Sequence, residues 1–113
     1  MAIKRLCFAC DLVDKKDLIE KYKHYHKKEN SWPEITKSIS DSGILDMEIY
    51  ILANRLFMII EVDETFTAER KKKMDASNLK VQQWEDLMWE FQQSPPGSAE
   101  NEKWTLMENI FKL

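Results

Sequence analysis

Tyr22 and His26 are the two residues of this sequence best suited to moving a proton. They stand four apart in Tyr22-Lys23-His24-Tyr25-His26, so on a helix they project from one face, one turn above the other. A phenol beside an imidazole can handle protons near neutral pH, where histidine titrates. His24, the only other histidine, is two residues from either partner and points elsewhere, toward solvent. Ordinary packing or surface roles compete with this reading of the pair. Trp32, Trp84, Trp89 and Trp104 suggest a second kind of chemistry. Indole faces stack on the apolar C–H surfaces of pyranose rings, so a tryptophan-rich cleft with polar groups suits a sugar. Core packing competes again: Trp84 shares an apolar helix face with Val81, Met88 and Phe91, and Trp89 shares no face with it.

Other chemistries lack their residues. Cys7-Phe8-Ala9-Cys10 has the form of a metal or redox motif. It falls in a strand, however, where residues three apart point to opposite sides, so the two sulfurs read as small hydrophobes. There is no glycine-rich phosphate loop, no His/Cys cluster for zinc, no G-x-S-x-G and no acidic calcium loop. An enzyme built from this chain works by proton transfer with its own side chains.

Composition narrows the class. A chain of 113 residues supports one domain with a single core, residues 1–113. Its 43% hydrophobic and 11% aromatic content excludes a disordered chain. A formal charge of −3 gives no footprint for nucleic acid, and the run Arg70-Lys71-Lys72-Lys73 reads as a solvated helix face. No stretch approaches the ~20 apolar residues of a membrane span, and Met1-Ala2-Ile3-Lys4-Arg5 lacks a signal peptide's apolar region. With two cysteines and no disulfide framework, a cytoplasmic protein is expected.

The elements that must position the pair follow from periodicity. Residues 3–10 read as a strand with Leu6, Phe8 and Cys10 on one face. Asp14 opens a helix to about residue 28. Ser31-Trp32-Pro33-Glu34 has capping-box spacing with proline in the first turn, and the short helix it starts ends near Gly43. Strands Leu45–Leu52 and Arg55–Val62 form a hairpin around Ala53-Asn54, with Asn54 supplying left-handed tolerance. Residues 66–76 and Val81–Gln92 read as helices, Gln93–Asn101 as a loop, and Trp104–Leu113 as a last strand, with a helix as the alternative. The order β–α–α–β–β–α–α–β predicts an α+β, ferredoxin-like antiparallel sheet with helices on one face. The other face then needs a cover, and a second copy of the sheet is the simplest one.

Several segments, in order along nearly the whole chain, resemble the L-rhamnose mutarotase family and its relatives acting on L-fucose. They are Cys10-Asp11-Leu12, Tyr22-x-x-x-His26, Trp32-Pro33-Glu34, Gly43 with Asp46-Met47-Glu48-Ile49-Tyr50, and Arg55-Leu56-Phe57-Met58. Trp84-Glu85-x-x-Met88-Trp89-x-Phe91-Gln92 and Glu102-Lys103-Trp104 complete the set. The resemblance implies a dimeric α/β-barrel-type fold, two protomers packed through their sheets, and cofactor-free interconversion of the α and β anomers of a monosaccharide. It implies that His26 acts as the acid, that Tyr22 lies in the same site, and that Trp84 binds the sugar.

Two departures bear on the substrate. The rhamnose-type pattern has tyrosine where Met47 stands and a second consecutive tryptophan where Glu85 stands. This chain also carries two extra residues between His26 and Trp32. Met47 and Glu85 fall in the sugar pocket by resemblance, and the surrounding wording is closer to the L-fucose branch. Two rivals remain: a non-catalytic dimeric ferredoxin-like binding module, and a cofactor-free monooxygenase or heme-binding enzyme on the same dimeric fold.

Overall fold

The computed structural model describes residues 3–99 and 102–113. In chain order the elements are β1 (Lys4–Leu12), α1 (Lys16–Tyr25), a 3-10 turn (Lys28–Asn30), α2 (Pro33–Asp41), β2 (Ile44–Leu52), β3 (Arg55–Val62), α3 (Ala68–Ala76), α4 (Leu79–Met88), β4 (Gln92–Gln93) and β5 (Thr105–Leu106). The strands form one antiparallel sheet in the order β2-β3-β1-β4, with β5 also on β1. Leu6, Phe8, Cys10 and Leu12 of β1 and Leu56, Met58, Ile60 and Val62 of β3 all supply the core. Period-2 alternation puts these residues on one side of the sheet, and the helices cover that side. The expected α+β, ferredoxin-like architecture is the one found.

The core has two parts. One gathers Cys10, Leu12 and Leu56 with Tyr22 of α1, Met88 of α4 and Phe91. The other gathers Ile44, Ile60 and Val62 with Ile39 of α2 and Phe66. Between them the covered face opens, and the cavity described below lies there.

Several local expectations are corrected. Helix α1 starts at Lys16, two residues after Asp14, with Lys15 at the N-cap and no side-chain cap. The capping box does not form. Pro33 takes the first helical position, which makes Trp32 the N-cap, and Ser31 instead donates to the Lys28 carbonyl at 2.9 Å. In the hairpin Ala53, not Asn54, adopts the left-handed φ of 54°. Asn54 clamps the turn to β1: its carbonyl accepts from the Leu12 amide at 2.7 Å, and its side chain donates to the Leu12 carbonyl at 2.9 Å. Asp11 and Arg55, opposite each other across β1 and β3, make a two-pronged ion pair at 2.8 and 3.1 Å.

The end of α2 explains part of the basic run. Gly43 has φ +99°, and a Cβ there would sit 2.7 Å from Asp63 Oδ1 and from Thr65 Oγ1. Arg70 reaches from α3 to donate to the carbonyls of Asp41 and Ser42 at 3.2 and 3.0 Å, satisfying helix-end acceptors. Lys71 pairs with Asp75 at 2.5 Å. Arg70 and Lys71 thus add specific contacts to the run, while the solvated-face reading holds in that α3 buries no residue and Arg70, Lys72 and Lys73 are exposed.

Helix α4 stops at Met88, four residues short of the expected Gln92. Asp11 and Leu12 at the end of β1 offer edge hydrogen-bonding groups, and Gln92-Gln93 turns out of the helix to pair with them as β4. Phe91 stays in the core, so its helical spacing was right for burial but not for helix. The last strand is also shorter than expected: only Thr105–Leu106 pairs with β1, and residues 107–113 carry no regular structure. Part of the loop expected over Gln93–Asn101 lies outside the described residues.

Candidate active site

Leu18, Ile19, Tyr22 and Tyr25 form the inner face of α1 and pack on the first core cluster. Tyr22 is 3% exposed. His26 follows as the helix C-cap, where the backbone leaves helical geometry: its own N–H goes to the Lys23 carbonyl. The imidazole folds back instead, placing Nδ1 2.8 Å from the Tyr22 carbonyl. A carbonyl only accepts, so Nδ1 carries the hydrogen and the lone pair of a neutral ring lies on Nε2.

The ring is held between two aromatics. The Tyr22 centroid is 4.2 Å from that of His26, and Trp84 of α4 approaches from another side at 5.6 Å. Trp32, on the chain leading into α2, packs against Trp84 at 5.1 Å. These aromatic walls desolvate the imidazole and lower its pKa, while the bond to the Tyr22 carbonyl works the other way. His26 nevertheless keeps an exposed surface, because the hollow it borders opens to solvent. Burial raises the Tyr22 pKa, and a hydrogen bond from Gln92 partly offsets that. Tyr22 is thus a neutral phenol and His26 a neutral imidazole at pH 7. Burial also pushes the Cys10 thiol up to about 12, which keeps it out of thiolate chemistry.

The hollow has a volume of about 690 Å³ and runs along the seam between the two core clusters. Tyr22, His26, Met47, Trp84 and Glu85, the five residues singled out from sequence, all line it. His24 does not; it is exposed and near Asn30. Trp89 is also outside, on the surface beneath Lys103, whose Nζ sits 4.6 Å from the ring centroid. The wall is mainly apolar, with a few polar groups, as small-molecule sites are.

Trp32 and Trp104, two of the four tryptophans noted from sequence, line the hollow too, as do Gln92 and Lys103, polar residues not picked out individually from sequence. Gln92 donates Nε2–H to the Tyr22 hydroxyl at 3.1 Å. Lys103 has its pKa lowered by burial, against the pull of Glu85, Cys10 and Asp86. Gln92 and Lys103 both lie within segments that carry the family resemblance, and that was the available signal. Periodicity hid Gln92 by extending α4 through it.

Residues 5–113 match the family model for L-rhamnose mutarotase. The chain belongs to that family. An L-fucose mutarotase of Xanthomonas campestris pv. campestris is 40% identical over 113 residues, covering 100% of this chain and 90% of the relative. A UPF0734 protein of Dictyostelium discoideum is 37% identical over 109 residues, covering 93% of this chain and 86% of its own length. The crystal structure of an L-rhamnose mutarotase from Formosa agariphila superposes with a TM-score of 0.70 at 26% identity, covering 97% of this chain and 98% of that one. Family membership makes the activity sugar mutarotation, a carbohydrate isomerisation, and no observation favours the non-catalytic module.

Proposed function

We propose that this mutarotase interconverts the α and β anomers of a 6-deoxy-L-hexose, with L-fucose preferred to L-rhamnose, and that His26 moves the proton. The observation that carries the reading is the His26 imidazole, fixed in one tautomer by the Tyr22 carbonyl and flanked by Tyr22 and Trp84 at the wall of a hollow with ample room for a monosaccharide. Trp84 offers an aromatic face to the pyranose. Met47 and Glu85 shape the specificity, and the L-fucose activity named for the Xanthomonas relative supports the choice of sugar.

The neutral imidazole suits the chemistry without a cofactor. The anomeric hydroxyl O1 and the ring oxygen O5 are bonded to the same carbon, so one nitrogen can reach both. Nε2 takes the proton from O1 as the C1–O5 bond breaks and the C1=O1 double bond forms. It then gives the proton to O5, acting as the acid. Rotation about C1–C2 turns the other aldehyde face toward O5, and the same transfers run in reverse on closure.

We also propose a homodimer joined through the uncovered sheet face. Arg5, Cys7 and Ala9 of β1 and Phe57, Ile59 and Glu61 of β3 alternate with the core-facing residues and belong to neither core cluster. Tyr50 and Leu52 extend that face as exposed large side chains of β2. A cytoplasmic location belongs to the same proposal and is supported by the free thiols Cys7 and Cys10.

The test of function is polarimetry on freshly dissolved α-L-fucose, α-L-rhamnose and an unrelated aldose. Catalytic amounts of protein should speed the approach to equilibrium, most for L-fucose. Trp84→Ala should raise KM more than it lowers stability. An approach to equilibrium unchanged by the protein for every sugar would overturn the reading.

A further inference from the structure

Gln92 holds an anomalous position in the site. It is 5% exposed and is locked by backbone pairing of β4 with Leu12 of β1. Its Nε2–H donates to the Tyr22 hydroxyl at 3.1 Å, while its Oε1 is buried with no hydrogen-bond partner among the described residues. An orphaned buried acceptor is costly, and a methionine or leucine would fill the same space without that cost. One end of the amide is thus without a partner among the described residues, so hydrogen bonding within the protein alone does not account for an amide here.

The consequence falls on Tyr22. Among the described residues, Gln92 is the one partner of the Tyr22 hydroxyl. With the amide N–H occupying an oxygen lone pair, the phenol's own hydrogen has no acceptor among the described residues and is free for whatever occupies the hollow that both residues line. Gln92 thereby fixes the polarity of Tyr22 as a donor. Burial, by keeping the phenol neutral, preserves that hydrogen.

We propose that Gln92 is a positioning residue, whose amide turns the Tyr22 hydroxyl into an oriented hydrogen-bond donor to a sugar oxygen in the hollow. Gln92 acts through Tyr22 and takes no part in the proton transfer at His26. The inference rests on the mutarotase reading and extends it to a residue for which nothing else on this chain supplies a role.

The experiment is a double-mutant cycle in kcat/KM for anomer exchange of L-fucose, using Tyr22→Phe, Gln92→Met and both together, with KM and kcat measured separately. Each single variant should lose about 5–20-fold, chiefly in KM, as expected for one hydrogen bond to substrate. The double variant should match Tyr22→Phe to within about twofold, because a residue acting through the phenol has nothing to orient once the hydroxyl is gone. Gln92→Asn keeps the amide but shortens its reach, and should follow Gln92→Met in the same cycle. Independent losses that multiply to about 25–400-fold would overturn the inference, as would wild-type kinetics in Gln92→Met. Unfolding of both Gln92 variants would assign the residue a structural role and overturn it too. Wild-type protein that exchanges no sugar would defeat the mutarotase reading and this inference with it; wild-type exchange with a multiplicative cycle would defeat this inference alone.

Discussion

Leu56 and Phe57 are neighbours on β3 that face opposite ways, and their surroundings differ as the two sides of the sheet differ. Leu56 is 2% exposed and lies in the cluster that also holds Tyr22, Met88 and Phe91. Phe57 is half-exposed and opposite Ala9 on the side without helices. The covered side spends its packing on fixing a hollow: two core clusters close above and below it, and the groups around His26 are held by backbone pairing and helix ends. The bare side alternates apolar residues such as Ala9, Phe57 and Ile59 with paired charges, Arg5 with Glu61 and Asp11 with Arg55, and none of these lines the hollow. On the proposed reading, catalysis belongs to the covered face and association to the bare one.

Truncation should separate the two faces most sharply. Leu56→Ala removes buried methyl groups and should cost about 2–5 kcal/mol, independent of protein concentration. Chemical denaturation at several concentrations measures it; a cost that shrinks on dilution would show that the face is not sealed within one protomer. Phe57→Glu puts a charge on the bare side and should shift the protein toward monomer in sedimentation, with a smaller effect on the stability of the monomer itself. A wild-type protein that sediments as a monomer at micromolar concentration would remove the dimer from the account.

Acidification should produce a smaller, graded effect centred on the covered face. Desolvation lowers the folded-state pKa of His26 below its ordinary 6.5, so the unfolded chain binds more protons there than the folded one as pH falls. The contribution of this group is fully present above about pH 6.5 and is lost as pH drops through its lower folded value. Thermal unfolding across that interval should show a destabilisation that His26→Gln diminishes. The acid limb of kcat/KM should also lie below pH 6.5; a midpoint above that value would mean that a negative neighbour, not burial, governs the ring. The smallest effect expected is from His24→Ala, which should leave kcat/KM within about twofold, because His24 does not line the hollow.

Much of the site could be read from spacing. Tyr22 and His26 share one side because four residues make about one helical turn, and that holds although His26 is the cap and not an internal residue. Alternation in β1 identified the covered face through Leu6, Phe8 and Cys10, and the hairpin lay where strand-like runs met at Ala53-Asn54. What escaped depended on contacts between distant segments. Helix α4 ends early because the edge of β1, some eighty residues earlier, needs hydrogen-bond partners; periodicity within 81–92 carries no trace of that need. Arg70 looked like part of a charged run because the carbonyls it caps belong to α2 and the β3–α3 connection. The tautomer of His26 follows from one carbonyl 2.8 Å away, a detail of helix fraying that no residue pattern encodes.

The most direct test of the account is saturation-transfer NMR on L-fucose with wild-type protein and His26→Ala at equal concentration. The account predicts magnetisation transfer between the α and β anomeric protons with wild type. It predicts about 10²–10⁴-fold slower exchange with a folded His26→Ala, the range expected for loss of a general acid–base group. Exchange of wild-type speed in folded His26→Ala would contradict the central claim that this imidazole carries the proton.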